Sequence, residues 1–293
     1  MPHVSRILAA GLLVASWLFQ PVAVLAQTVT NRMVTYADIA DLSFAAELVA
    51  LVHIDSMIPI DPSRSPAKRT GYRRFYIEAE TKALLVSKKP LGRSVRYLVD
   101  VPLDWHGRSE DLKGEEAFIF ARRVPGKPGE LQLVTPTAQL RWSASREARL
   151  RDLLTAAMSP DAPPHVTGVR TLLHVPGTLV GQGRTQIFLE TNGSSTPAIT
   201  VHRRPGHSPN WTVSFSELIA DVGSPPASDT LEWYRLACSL PDQLPPGAHI
   251  SSTPEARSTA LADYRIVINS LGPCDRSLRF RPQIAANSFF AAA

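Results

Sequence analysis

Apolar and polar residues alternate along much of this chain with the period of two that belongs to a half-buried strand. The longest such stretch is Gly71–Thr135. Its first segment sets Phe75, Ile77, Ala79 and Thr81 against Arg74, Tyr76, Glu78 and Glu80, and its second sets Val95, Tyr97, Val99 and Val101 against Arg96, Leu98 and Asp100. A third, with Phe118 and Phe120 on one face and Ala117, Ile119 and Ala121 on the other, is apolar on both. Gly126-Lys127-Pro128-Gly129 reads as a hairpin turn into Leu131 and Leu133. Upstream, Leu48–Ile60 puts Leu48, Ala50, Val52 and Ile54 on one face and Val49, Leu51, His53 and Asp55 on the other. Its second face is partly apolar too, which predicts a buried strand. Five strands in about 90 residues, with hairpin-like links and no crossover helix, predict an antiparallel barrel or sandwich.

Helical spacing interrupts this pattern at a few places. Tyr36–Leu48 fits a short helix capped by Thr35, or the lead-in to a strand. From Ser143 the chain sets Leu150, Leu153, Leu154, Ala157 and Met158 on one helical face, with Ser143 or Ser145 as cap and Glu147 four residues before Arg151. The helix stops at Ser159-Pro160, and the proline-rich connector that follows marks a domain boundary. The second half opens with strands Val166–Val175, Arg184–Thr191, Ala198–Arg204 and Trp211–Leu218, the second and third joined through the turn signal Asn192-Gly193. Asp229 is the expected cap of a helix reaching Leu240, with Glu232 completing a capping box. A second short helix is expected from Ser252 or Thr253, then a closing strand Tyr264–Leu271 and a flexible tail over residues 275–293. The predicted fold is therefore β-rich (all-β or α+β). It has an OB-like antiparallel barrel with its helix over residues 27–159, and a second antiparallel sheet with two short helices over 165–274.

Composition narrows the setting. Twenty-five prolines, 44% hydrophobic and 19% charged residues describe a loop-rich globular chain. Arg6, the apolar run Ile7–Phe19 and the small-residue pattern Val24-Leu25-Ala26 read as a signal peptide over residues 1–26, cleaved near Ala26. The expected address is periplasmic or extracellular. Cleavage removes Arg6 and no acidic residue, so the net charge falls from +5 to +4. No basic stripe interleaved with aromatics is present, so no nucleic acid is expected as partner. Cys238 and Cys274 are the only cysteines, and an oxidising compartment pairs them. A loop of that length is worth about 3–4 kcal/mol in the chain-entropy model.

The sequence carries no catalytic signature: no G-x-S-x-G, S-x-x-K, H-E-x-x-H, calcium loop, P-loop or dinucleotide fingerprint. Gly177–Gly183 is glycine-rich but joins two strands, so it reads as a hairpin loop. The nearest acid/base pair is His53 with Asp55, two apart on one strand face; Ser56 points the other way. Trp105 and His106 form a second candidate, a loop aromatic beside an imidazole, although a loop tryptophan more commonly covers a barrel end. His165, His174, His202, His207 and His249 show no metal-ligand spacing, and no metal or cofactor is expected. The pairs Arg73-Arg74, Arg122-Arg123 and Arg203-Arg204 send only one guanidinium each to a given face and read as solubilising charges at strand ends. Two sequons, at Asn192 and Asn210, read as turn and strand chemistry.

The stretch Glu47–Thr135, with ELVALVHI, then RFYIEAETKALL, then Leu112-Lys113-Gly114 leading into EEAFIFARRV, resembles the OB-type barrels of the netrin/tissue-inhibitor (NTR-like) class. The inhibitors of that class act through an N-terminal cysteine. This half of the chain has none, so metalloprotease inhibition does not carry over. The whole chain resembles exported bacterial proteins, a likeness that brings no activity with it. The expected role is a non-enzymatic exported binding or envelope-associated protein, with a protein or an anionic envelope surface as partner. The barrel would bind through its loops Asp61–Gly71 and Leu103–Gly114. The alternative is a periplasmic or secreted hydrolase built on His53, Asp55 or His106.

Overall fold

Thr35 starts the first helix, α1 (Tyr36–Ala45), through a capping box: its hydroxyl accepts the Asp38 N–H while the Asp38 carboxylate accepts the Thr35 N–H. The computed structural model describes residues 34–61, 63, 69–193, 195–215 and 224–278. The expected signal segment, most of the Asp61–Gly71 loop and residues 279–293 of the expected tail lie outside the described residues.

All ten residues of α1 are buried, and the helix packs between one strand of a barrel and two later helices. That barrel comprises β1 (Leu48–Pro59), β2 (Tyr72–Ser87), β3 (Ser94–Pro102), β4 (Glu116–Arg123) and β5 (Glu130–Leu133). The strand order β1-β2-β3-β5-β4 closes through a β1–β4 ladder. Each pairing is antiparallel except β3 with β5, which meet in parallel at Arg96–Glu130 and Tyr97–Leu131. Closure leaves these strands without an open edge, and α1 packed on β4 covers part of the barrel's outer face. A three-residue strand not anticipated from sequence, β6 (Gln139–Arg141), pairs with β4 beyond the end of β5.

Helix α2 (Ala144–Met158) follows, capped by Ser143 and carrying the expected Glu147–Arg151 ion pair at 2.7 Å. Leu150, Leu153, Leu154 and Ala157 are buried as the spacing predicts, but Met158 is half exposed because it lies one residue off that face.

The second sheet is an antiparallel meander of β7 (Val166–Pro176), β8 (Gly183–Thr191), β9 (Ala198–Arg203) and β10 (Asn210–Ser214). Residues 248–250 pair with the outer edge of β7 at Leu172. Helix α3 (Leu231–Ala237) is capped by Thr230, whose hydroxyl accepts the Trp233 N–H. Asp229 does not cap it and instead takes a left-handed turn conformation at φ 60°.

The expected closing strand Tyr264–Leu271 is helical. It forms the second half of α4 (Pro254–Leu271), capped by Thr253. The β-branched run Ile266-Val267-Ile268 favours a strand locally. The buried residues Ala256, Ala260, Asp263, Tyr264, Val267 and Leu271, however, fall on one helical stripe, and burying that stripe against β7 and β8 decides the outcome. The disulfide Cys238–Cys274, with Cα atoms 5.1 Å apart, accordingly ties the end of α3 to the residues just past α4.

The start of the expected tail is docked. Asp41, 1% exposed, accepts from Arg276 Nε at 2.6 Å and from the Tyr234 hydroxyl at 2.7 Å. Asp38 accepts from the backbone N–H groups of Ser277 and Leu278, both at 3.0 Å. Stacked Phe44 and Tyr234, with the Arg235 guanidinium over the Phe44 ring, join α1 to α3. One buried apolar cluster runs through both sheets.

Candidate functional site

The structure does not bring the expected catalytic candidates together. His53 lies half-buried between Glu80 of β2 and Glu116 of β4. Asp55 is exposed at a bulge, where the β1–β2 register shifts between Ile54 and Ser56. The Ser56 hydroxyl donates to Glu78 at 3.2 Å. Trp105 and His106 occupy the tip of a small hairpin closed by the Leu103–Ser109 bridge. Asp104 organises that tip by accepting the N–H groups of His106 and Arg108, and the Arg108 N–H foremost holds its carboxyl below the ordinary carboxylate range. Trp105 is 86% exposed, so it does not cover the barrel end.

The dibasic pairs are more than solubilising charges, because buried acceptors claim at least one guanidinium of each. Arg74 makes a two-pronged pair with Asp100, 4% exposed, at 2.7 and 3.0 Å. Arg122 donates to the Ala45 carbonyl, and Arg123 spans Glu47, Ser87 and the Lys89 carbonyl. Arg203 reaches Asp263 through Nε at 2.8 Å and Nη2 at 2.6 Å.

That last contact belongs to the densest polar cluster of the second sheet. Asp263, projecting from α4, is fully buried, and its other oxygen accepts the hydroxyl of Thr185 on β8. Thr185 Oγ1 lies 2.8 Å from Nδ1 of His174 on β7. A hydroxyl has one hydrogen and Thr185 gives it to Asp263, so His174 donates through Nδ1. Burial foremost, with Arg203 adding to it, holds the His174 pKa below the ordinary imidazole value against the opposing pull of Asp263. One carboxylate thus locks strands β7, β8 and β9 to the helix. Gly183 completes the fit: a Cβ there would stand 2.6 Å from the His174 ring.

The lock also sets the position of Arg203 at a cavity of about 440 Å³ at the end of the sheet. Opposed residues on neighbouring strands share a face, and the rung Val175–Arg184–His202–Asn210 crosses all four strands there. Arg184, His202, Arg203 and Arg204 line the cavity together with Gly177, Gln182 and Gly183, and among the described residues no carboxylate lines it. Asp263 occupies Nε and Nη2 of Arg203 and leaves Nη1 uncommitted among the described residues, while Arg204 is exposed. Three of the six buried side-chain atoms without a hydrogen-bond partner among the described residues, His202 Nε2, Trp211 Nε1 and Thr212 Oγ1, lie on β9 and β10. Of these three residues only His202 lines the cavity.

A second groove, of about 500 Å³, opens where β3 and β5 diverge on the barrel. Tyr76, Leu98 and Arg96 line it, but Glu130 does too, and Arg74 there is already paired with Asp100. Glu130 thus lines this groove directly, whereas Asp263, the carboxylate that Arg203 binds, is fully buried and not among the described lining of the first cavity. Among the described residues no three His, Cys, Asp or Glu side chains gather as metal ligands. Sequence reasoning singled out Arg203-Arg204 and Gly177–Gly183 separately, and only the meander brings them to one cavity; Asp263 gave no signal at all. No family model matches the chain, and no curated protein matches it.

Proposed function

We propose that this protein is an exported, non-enzymatic binding module whose ligand is a small oxyanion of the phosphate class, held in the cavity at the end of the second sheet. The observation that carries this reading is the lining: three guanidinium groups and an imidazole, with no carboxylate among the described lining residues. The planar guanidinium fork matches phosphate geometry, and exposed Arg204 with Nη1 of Arg203 can supply it. At about 440 Å³ the cavity has room for a group attached to the phosphate.

The chemistry of the buried lock supports binding rather than hydrolysis. Thr185 spends its hydrogen on Asp263 and is fully buried, so it is no nucleophile for an external substrate. The disulfide supports an oxidising compartment, and the signal-like segment supports export. The closed five-stranded topology supports the NTR-like resemblance of Glu47–Thr135.

Calorimetric titration of the mature chain with inorganic phosphate, sulfate and acetate tests the reading. Saturable binding is expected for phosphate and weaker binding for acetate. Equal heats for all three anions, or none for phosphate, would refute it.

A further inference from the structure

Beside the cavity, the β7–β8 hairpin ends in an apolar tip. Leu179 is 61% exposed, Val180 is 99% exposed, and Val175 at the base is 51% exposed. Single apolar residues on a surface call for no explanation. These three share one hairpin end, and that end adjoins a cavity lined by guanidinium groups. The tip is also held in shape. Gly177 N–H donates to the Gln182 carbonyl, Gln182 N–H donates to the Leu179 carbonyl, and the Gln182 side-chain oxygen accepts the Leu179 N–H at 3.3 Å. Gly181, at φ 80°, supplies the left-handed residue that closes the turn. Gln182 and Gly177 both line the cavity, so the residues that brace the tip also form the cavity wall.

Resting on the phosphate-class reading of the cavity, we propose that the physiological ligand is the phosphate-bearing headgroup of a membrane lipid, bound with the Leu179–Val180 tip entering the lipid boundary. A free phosphate would satisfy the cavity and leave the tip in water. A headgroup at a bilayer surface uses both. Exposed Arg204 is attracted to an anionic leaflet, and apolar side chains that reach just below the headgroups add a shallow, reversible hold. Arg204 is exposed and Arg203 keeps Nη1 uncommitted among the described residues, so both can meet a headgroup without disturbing the Asp263 lock. A phosphomonoester is the favoured headgroup, because its phosphate carries one fewer ester link than a diester and so leaves more oxygens for the Arg203 and Arg204 guanidinium groups.

The test compares flotation of the mature chain with phosphatidylcholine vesicles, with and without phosphatidic acid, against calorimetric titration with inorganic phosphate. The wild type is expected to float only with the phosphatidic acid vesicles. Val180→Glu, at a position with no packing to lose, should weaken flotation at least about tenfold while leaving phosphate affinity unchanged. Arg204→Ala should weaken both, and Arg170→Ala, the same charge loss away from the cavity, neither. If Val180→Glu floats like the wild type, or the wild type binds phosphate but no vesicle, the lipid inference is overturned and the cavity reading stands. Failure to bind phosphate at all overturns both.

Discussion

Asp263 is the residue whose removal should cost this protein most. It is fully buried and accepts from Thr185 and, twice, from Arg203, and Thr185 in turn holds His174. Asp263→Ala leaves the Arg203 cation without its counter-charge and strips a buried hydroxyl of its acceptor. Removing one partner of a buried pair costs about 3–5 kcal/mol when the other charge stays desolvated. The Arg203 side chain is 28% exposed, so water recovers part of its solvation, which moves the expected loss towards 3 kcal/mol. The unsatisfied Thr185 hydroxyl adds about 1–3 kcal/mol if nothing relaxes. Partial relaxation makes these contributions less than additive, so the expected total is about 3–4 kcal/mol. Urea titration of Asp263→Ala beside Asp242→Ala, an exposed control, measures this. The control should change stability by less than about 0.5 kcal/mol. The same variant frees Arg203 from its mooring and should weaken phosphate binding. A loss below about 1 kcal/mol would refute the argument that one carboxylate locks three strands to α4.

Other consequences follow from single contacts. Gly183→Ala drives a methyl group into the His174 ring, which Thr185 holds in place, and should cost about 1–3 kcal/mol by urea titration; in a His174→Ala background the cost should fall to the smaller part left by the Val175 carbonyl, 3.1 Å from that Cβ. His165 and His174 both titrate below the ordinary imidazole value, burial being the main cause at each, with Arg235 adding to the effect at His165. Unfolding returns them to about 6.5, so the stability they contribute is complete above that pH and is lost as the pH falls through their folded values. The melting temperature should therefore fall on acidification from pH 7, and less steeply in His165→Gln; a steeper fall in that variant would contradict the assignment. Replacing Cys238 and Cys274 by Ser should lower stability by about 3–4 kcal/mol and loosen the docking of Arg276 on Asp41. An unchanged urea midpoint would count against both effects.

What the sequence made legible was what local periodicity and capping dictate. The alternation of Phe75–Thr81 and Val95–Val101 became β2 and β3, Thr35 and Ser143 became caps, and the two cysteines became a disulfide. Where long-range packing outweighed local preference, the reading failed. Tyr264–Leu271 looks like a strand because Ile266, Val267 and Ile268 are β-branched, yet its buried stripe continues that of Ala256 and Ala260. Arg203 looked like a solubilising charge because its acceptor lies 60 residues away on another element. The cavity was out of reach for the same reason. Gly183, His202 and Asn210 become neighbours only through the registers of β8, β9 and β10.

The central claim is that phosphate binds at this one place. Arginine side-chain N–H resonances followed by NMR during a phosphate titration of the mature chain test it most directly. The account predicts saturating shifts at Arg203, Arg204 and Arg184, together with the His202 backbone, while Arg170 and Arg257 stay still. Shifts spread evenly over all arginines, or confined to the barrel groove around Arg96, would contradict it.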